Sequence, residues 1–180
     1  PQLSYKTVMI TSHTTSKQVI LGLLSRFRMK HRDPKLFYLT MEVTVNQTFQ
    51  TITLEDNSRP AELISCNPWG GCKFILRSKT GGLVKIYDHH VRPDSVYKSI
   101  LISRDTTVSE TLGLLWSCYP QLECQHLCLF VDCQGQDGES SLDGDQCLLG
   151  VMETWGEGIG YKFVSKLKIP LRTQQRIHPV

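Results

Sequence analysis

This sequence of 180 residues lacks long apolar runs and catalytic signatures. No stretch approaches the roughly 18 consecutive apolar residues that a transmembrane helix requires, and the first residues do not show the pattern of a signal peptide. The sequence contains no Gly-x-Ser-x-Gly motif, no phosphate-binding loop and no His-Glu-x-x-His motif. We therefore expect a non-catalytic, cytoplasmic protein that needs no cofactor, holds no metal and binds no nucleic acid.

The seven cysteines are irregularly spaced and odd in number. Small secreted scaffolds usually contain a denser, even-numbered set, so we expect reduced thiols. Cys124, Cys128 and Cys133, together with His126, raise the alternative of a zinc site. On a strand, however, Cys133 would lie on the face opposite to the other three residues, and the paired Cys-x2-Cys spacing of structural zinc sites is absent. Buried structural thiols are the favoured prediction.

Charge is unevenly divided along the chain, although the overall net charge is only +3. Residues 1–80 contain 11 lysines and arginines against 5 aspartates and glutamates, whereas residues 81–180 contain 9 against 12. The composition is otherwise that of a folded chain, with 40% hydrophobic and 21% charged residues. The basic first half is thus the part that we expect to meet an acidic partner.

The chain contains an internal repeat. Residues 5–15 (YKTVMITSHTT) align without gaps with residues 97–107 (YKSILISRDTT) at an offset of 92 positions, with five identities. A period of this length is too long for a solenoid and indicates two homologous domains in tandem. The short junction at Ser78–Gly82 indicates that the domains touch each other. The predicted units are residues 1–80, residues 81–168 and a tail or linker at residues 169–180.

Each copy shows the same predicted elements, a β-branched strand, a Thr-Thr pair that can cap a helix, and an amphipathic helix. The apolar helix positions are Val19, Ile20, Leu23, Leu24 and Phe27 in the first copy and Leu112, Leu115, Trp116 and Tyr119 in the second. Other predicted elements of the first copy are strands Leu36–Val43, Phe49–Leu54 and Lys73–Arg77, with a short turn or helical piece after Arg59-Pro60. Those of the second copy are strands Leu83–Tyr87, Tyr97–Ser103, His126–Cys133, Leu148–Thr154 and Tyr161–Lys168, with a mobile polar loop at Gln134–Gln146. The second copy therefore has the order β-β-α-β-β-β, and the first copy has the same order without its first strand, which we expect upstream.

Two segments of the second copy carry a resemblance to a known family. Val84-Lys85-Ile86-Tyr87, followed after a turn by Tyr97-Lys98-Ser99-Ile100-Leu101-Ile102, resembles the opening strands of Ras-association domains. The first copy is similar in Tyr5-Lys6-Thr7-Val8-Met9-Ile10 and in its closing strand Cys72–Arg77, and the resemblance covers about residues 3–79 and 82–168. It implies an α+β fold of two tandem ubiquitin-like β-grasp domains, the first without its first strand in this sequence.

The resemblance also implies a partner, a Ras-family GTPase of the Ras or Rap type in its GTP state. In such domains the second strand is an exposed sheet edge that pairs with the effector strand of the GTPase, which is β-augmentation. Basic residues steer the acidic effector region into register, and the GTP dependence arises because γ-phosphate orders the switch loops of the GTPase. The expected role is to recruit a larger effector or adaptor to the cytosolic face of membranes.

Carried over by position, the basic residues of the family suggest a binding site. Lys85 lies on the first strand of the second copy, and Lys98 and Lys6 lie on the second strands of the two copies. Arg26 lies near the end of the first helix, where the second copy has Cys118. We therefore favour the first copy as the binder. The predicted GTPase-binding residues are Lys6, Arg26, Arg28, Lys30, Lys85, Lys98 and Arg104.

Other interpretations of the same residues remain open at this point. Exposed edge strands often carry lysines that only prevent aggregation. A tandem β-grasp unit can also serve intramolecular packing or dimerisation without contacting a GTPase, because fold does not determine function. A third alternative is that the basic half docks on anionic lipid through charge alone.

Overall fold

The computed structural model describes residues 5–45, 48–66, 71–119, 127–133, 138–156 and 160–167. Within these residues the chain forms two consecutive α+β units, called the first and second domains below. The first domain contains α1 (Ser16–Arg26), β1 (Phe37–Val45), β2 (Thr48–Thr53), α2 (Pro60–Ser65) and β3 (Cys72–Ser78). The second domain contains β4 (Gly82–Tyr87), β5 (Tyr97–Ile102), α3 (Val108–Ser117), β6 (Leu127–Cys133), β7 (Glu139–Ser141), α4 (Leu148–Glu153) and β8 (Tyr161–Leu167).

The two domains have sheets of related order. Among the described residues, the first sheet has the order β2-β1-β3 with both pairs antiparallel. The second has the order β5-β4-β8-β6-β7, in which β4 and β8 are parallel and all other neighbours are antiparallel. The β7-β6-β8 part of the second sheet thus matches β2-β1-β3 of the first, as expected for a duplicated domain.

The main helix of each domain begins at the predicted threonine. Thr15 and Thr107 are the N-cap residues of α1 and α3, and each side chain accepts a hydrogen bond from the backbone N–H three residues later. The side chain of that third residue, Gln18 or Glu110, accepts in return from the N-cap N–H, which completes a capping box in both helices. The cap is therefore conserved between the two copies of the repeat.

Each domain has its own apolar core between its helix and its sheet. The core of the first domain is centred on α1, β1 and the residues just before β1, and that of the second on β4, β5, α3 and β8. Leu101 of β5 is half-buried and packs against the first core, although it belongs to the second domain. No helix among the described residues has both the length and the apolarity to span a membrane.

One strand prediction in the second domain is wrong, because residues 148–154 form α4 and not a strand. Leu148, Val151 and Met152 are spaced by three and four positions, which is the helical repeat, and all three pack on the core. The fourth strand is instead β7, which lies inside the stretch predicted as a loop and pairs with β6. The order of the second domain is therefore β-β-α-β-β-α-β.

The strand predicted at residues 5–10 is also not formed, although the segment lies near β3. In the second domain the equivalent strand, β5, pairs with β4, which in turn pairs with β8. In the first domain no described strand stands between residues 5–10 and β3, so the segment has no neighbour to bond. A cavity of about 190 Å³ lies there, with Val8 and Ile10 on one side and Phe74 and Leu76 on the other.

Several expectations fall outside the described residues. Within β6, Cys128 is half-buried and Cys133 is buried, and both are free thiols. Outside the described residues lie Cys124, His126, the tail at 169–180 and residues 134–137 of the predicted loop.

Candidate functional site

The outer edge of β5 is partly covered by the first domain. The N–H of Leu101 donates to the carbonyl of His31 (3.0 Å), and the N–H of Asp33 donates to the carbonyl of Leu101 (2.8 Å). Arg32, between them, forms a parallel bridge with Leu101. Residues 31–33, called the strap below, therefore pair with the C-terminal half of the β5 edge.

The N-terminal half of the same edge is open in the described structure. Backbone groups alternate in direction along a strand, so the N–H and C=O of Tyr97 and Ser99 point to the same outer side as those of Leu101. No hydrogen bond reaches these groups from any described residue. The strap diverges before it reaches Ser99, because the N–H of Arg32 donates to the carbonyl of Met29 (3.1 Å) in a turn. An edge of about three residues is left for a partner strand.

A buried polar cluster joins the strap to the turn after β5. Asp33 is only 4% exposed, and its carboxylate accepts from the hydroxyl of Thr106, which is fully buried, and from the N–H of Ser103 at 3.4 Å. Close by, the Lys35 ammonium donates to a Glu110 carboxylate oxygen at 2.7 Å. This hydrogen bond is the main reason why the pKa of Lys35 is raised and that of Glu110 is lowered.

Two of the predicted lysines flank the open edge on opposite faces of the sheet. Lys98 lies on the face of Ile100 that packs against α3, and its Nζ is 5.6 Å from the centre of the Tyr119 ring. Lys85 pairs with Ser99 in register and lies on the other face, with its Nζ 5.1 Å from the centre of the Tyr97 ring. An added strand at this edge would therefore meet a cation on each face.

Lys30 of the first domain lies at the end of α3. The hydroxyl of Ser117, the last residue of α3, donates to the carbonyl of Lys30 at 3.2 Å. Next to it, burial raises the pKa of the Cys118 thiol, while the charges of Lys98 and Lys30 act in the opposite direction. The charges of Lys30 and Lys98, which belong to different domains, thus act on the same thiol.

Comparison with known proteins identifies the family to which both domains belong. The sequence profile of the Ras association (RalGDS/AF-6) domain matches residues 1–81 and again residues 80–168. The chain belongs to the Ras-association family. Domains of this family are protein-interaction modules with a ubiquitin-like β-grasp fold that generally bind Ras-family GTPases.

Among solved structures, the chain is similar to one described as "Rasip1 RA domain". The two are 20% identical, the match covers 49% of this chain and 89% of that one, and the TM-score is 0.41. No curated protein matches the chain significantly. The two matches of the family profile confirm both the tandem duplication predicted from the repeat and the Ras-association family implied by the resemblance.

In the first Ras-association domain, two predicted site residues lie together at the end of α1. Arg26 donates from Nη1 to the carbonyl of Thr7 at 2.5 Å, and Lys6 lies with its Nζ 5.6 Å from the centre of the Phe27 ring. Both basic side chains therefore lie where residues 5–10, the segment equivalent to β5, meet the end of α1.

The remaining predicted residues do not join either group. Arg28 follows α1 with a positive φ of 56°, which turns the chain from the helix toward the strap. Arg104 lies beyond β5, past the strap, and forms an ion pair with Glu153 of α4 at 3.2 Å. Its side chain is 82% exposed and pairs with α4, and it follows the C-terminal end of β5, whereas the open part of the edge lies at the N-terminal end.

Asp33 and Thr106 are functional candidates that the sequence reasoning missed. The turn that holds Thr106 is itself part of the repeat, because Thr11 and Thr14 form the same hydrogen bonds in the first Ras-association domain as Ser103 and Thr106 form in the second. The signal available in the sequence was Asp33-Pro34, a pair typical of a capped turn. It predicts a local turn but not a contact 73 positions away.

Proposed function

We propose that this chain binds a Ras-family GTPase in its GTP-bound state at the open edge of β5, by addition of the effector strand of the GTPase to the second sheet. The observation that supports this most directly is the end strand β5, open at Tyr97–Ser99, with Lys98 on one face and Lys85 on the other. Backbone hydrogen bonds supply the sequence-tolerant part of the affinity, and the two lysines select an acidic partner strand.

The second domain, and not the first, is the preferred binder in this proposal. Its candidate strand is part of a complete sheet, whereas the equivalent residues 5–10 pair with no described strand. Lys6 and Arg26 form a second basic surface, and Arg26 already donates to the backbone carbonyl of Thr7. That surface is a candidate for a weaker contact.

The short open edge sets the expected affinity. Two outward-facing residues offer four backbone groups, which corresponds to a small interface, and interfaces of this kind have dissociation constants of about 1 μM. In the cell such a module would recruit the parent protein to the cytosolic face of a membrane that carries the GTPase. The two domains would act together as one unit in this role.

The experiment is a titration of the whole chain with purified Ras and Rap, each loaded with GDP or with a non-hydrolysable GTP analogue. We expect binding only of the GTP-analogue form, and we expect Lys98→Glu to weaken it about tenfold or more by placing an acid opposite an acidic strand. Lys17→Glu is the matched control, because Lys17 is an exposed lysine on α1 of the first domain and pairs with Asp56, not with the open part of the β5 edge. Equal binding of both nucleotide states, or equal loss in the two variants, would contradict the proposal.

A structural tandem without a GTPase partner is the second candidate, and the strap favours it. The pairing of residues 31–33 with Leu101 uses half of the β5 edge for an intramolecular contact. If this is the only role of that edge, neither GTPase should bind in either nucleotide state, although a cooperative thermal unfolding transition shows that the chain is folded. The titration above therefore discriminates between the two functions.

A further inference from the structure

We propose that the first domain completes the GTPase-binding surface of the second. In this surface Lys30 supplies a cation at the end of α3, and the strap determines where the pairing of a partner strand with β5 must stop. This inference rests on the proposed function and adds to it a site built from both domains. The partner it fits is an extended strand with acidic residues on both faces.

The first step is a comparison of equivalent positions. At the offset of 92, Arg26 and Thr7 of the first domain correspond to Cys118 and Ser99 of the second. Arg26 reaches from the end of α1 to the carbonyl of Thr7 at 2.5 Å. Cys118 is uncharged, so the end of α3 has no counterpart of Arg26, and the cation that the second domain supplies on this face is Lys98 of β5.

The second step is that Lys30 occupies this place in the second domain. Its carbonyl accepts the hydrogen bond from Ser117, one residue before Cys118, at 3.2 Å. Its side chain is exposed, and its charge acts on the Cys118 thiol together with that of Lys98. The backbone of Lys30 is therefore fixed beside the end of α3, and its exposed side chain starts next to the place where the second domain has a cysteine.

The third step concerns the strap and the turn before it. Because the N–H of Arg32 donates to Met29, the chain turns away from β5 at Lys30, and Ser99 stays open while Leu101 is paired. A partner strand that pairs with Tyr97 and Ser99 must end where the strap begins. The end of the partner strand nearest the strap would then lie beside Lys30, on the helix face of the sheet, and its other end would lie nearer Lys85, whose Nζ is over the Tyr97 ring.

The test compares charge variants of the whole chain in the titration with GTP-analogue-loaded Ras and Rap. We expect Lys30→Glu to weaken binding by about two- to fivefold, as for the loss of one exposed charge contact. Its midpoint of thermal unfolding should not change, because the Lys30 contact to Ser117 uses the backbone. Lys17→Glu, the same change on another exposed lysine of the first domain, should have no effect on binding.

A rescue variant separates a charge effect from a structural one. Adding Cys118→Arg to the Lys30→Glu chain returns a cation to the end of α3 and should restore most of the lost affinity. If Lys98→Glu weakens binding but Lys30→Glu does not, the composite site is wrong and the proposed function stands. If the unmodified chain binds neither GTPase, the proposed function fails, and this inference with it.

Discussion

Asp33 of the first domain accepts a hydrogen bond from the hydroxyl of Thr106 of the second, and both side chains are buried. The same carboxylate accepts from the N–H of Lys35 at 2.9 Å, so a single aspartate caps the turn before β1 and contacts the turn after β5. Asp33 thereby holds the strap in place beside Leu101, and with it the neighbouring residue Lys30.

Replacing Asp33 should destabilise the protein. In Asp33→Ala the buried Thr106 hydroxyl loses its acceptor and the turn loses its cap, and we expect a loss of about 1–3 kcal/mol in the free energy of unfolding. Urea unfolding followed by tryptophan fluorescence measures this loss. Asp56→Ala is the control, because the Asp56 side chain is 69% exposed and its ion pair with Lys17 is long, at 3.9 Å. Equal effects of the two substitutions would argue against a structural role of the cluster.

Gly81 lies where the two domains approach each other closely. A Cβ at this position would lie 2.6 Å from the carbonyl oxygen of Ile102 and 2.8 Å from the Leu36 side chain. Gly81→Ala should therefore cost about 1–3 kcal/mol of stability, as overpacking generally does. Gly22→Ala makes the same change in α1, where nothing lies within 4 Å, and should stabilise the helix by about 0.5–1 kcal/mol. Opposite signs in thermal unfolding are the expected result.

The Lys35–Glu110 pair predicts a pH dependence of stability. The Lys35 hydrogen bond lowers the pKa of Glu110 below its ordinary value of 4.5, so the folded state binds the proton more weakly than the unfolded state. The stability from this pair is present above that value and is lost as the pH falls through the lowered pKa. Both side chains are nearly half exposed, at 45% and 44%, so solvent screening keeps the effect small.

Urea unfolding at several pH values between neutral and acid conditions measures this effect against Glu110→Gln. The substitution keeps the capping geometry but removes the charge, so the decline of stability at acid pH should be shallower in the variant. An unchanged slope would mean that the pair contributes nothing to the acid response. At alkaline pH the raised pKa of Lys35 acts in the opposite sense, and stability is lost as the pH rises through it.

Binding of the GTP-loaded partner should depend strongly on salt. Lys85 is exposed on β4, next to β5, and the charges of exposed groups are screened over about 10 Å at 0.1 M salt. We expect the association rate to fall severalfold as the ionic strength rises, with a smaller change in the dissociation rate. Stopped-flow measurements at low and high salt test this, and a salt-independent association rate would contradict electrostatic steering by the lysines.

Local patterns predicted much of each domain, and long-range pairing explains what they missed. The capping residues Thr15 and Thr107 and the apolar stripes of α1 and α3 are encoded within a few positions, and both were predicted. Residues 148–154 were assigned to a strand because a short apolar run fits either element, although Leu148, Val151 and Met152 follow the helical repeat and pack on the core as α4. The strand at residues 5–10 failed for a different reason, since a strand requires a neighbour and no local propensity supplies one.

The site could be predicted only in part. Lys85 and Lys98 were predicted because the resemblance to Ras-association domains places basic residues on β4 and β5, and Lys98 also belongs to the internal repeat. The place of Lys30 at the end of α3 was not predicted, because it depends on how the segment after α1 crosses to the other domain. In the same way, Asp33 and Thr106 become neighbours only once the strap has paired with Leu101.

The strap has one more consequence, for behaviour at high concentration. A long bare sheet edge is a template for chain-to-chain polymerisation. Here the first domain shortens the β5 edge to two outward-facing residues bordered by lysines. The β5 edge thereby stays open to the strand of a partner while offering little backbone for pairing with a second copy of the chain.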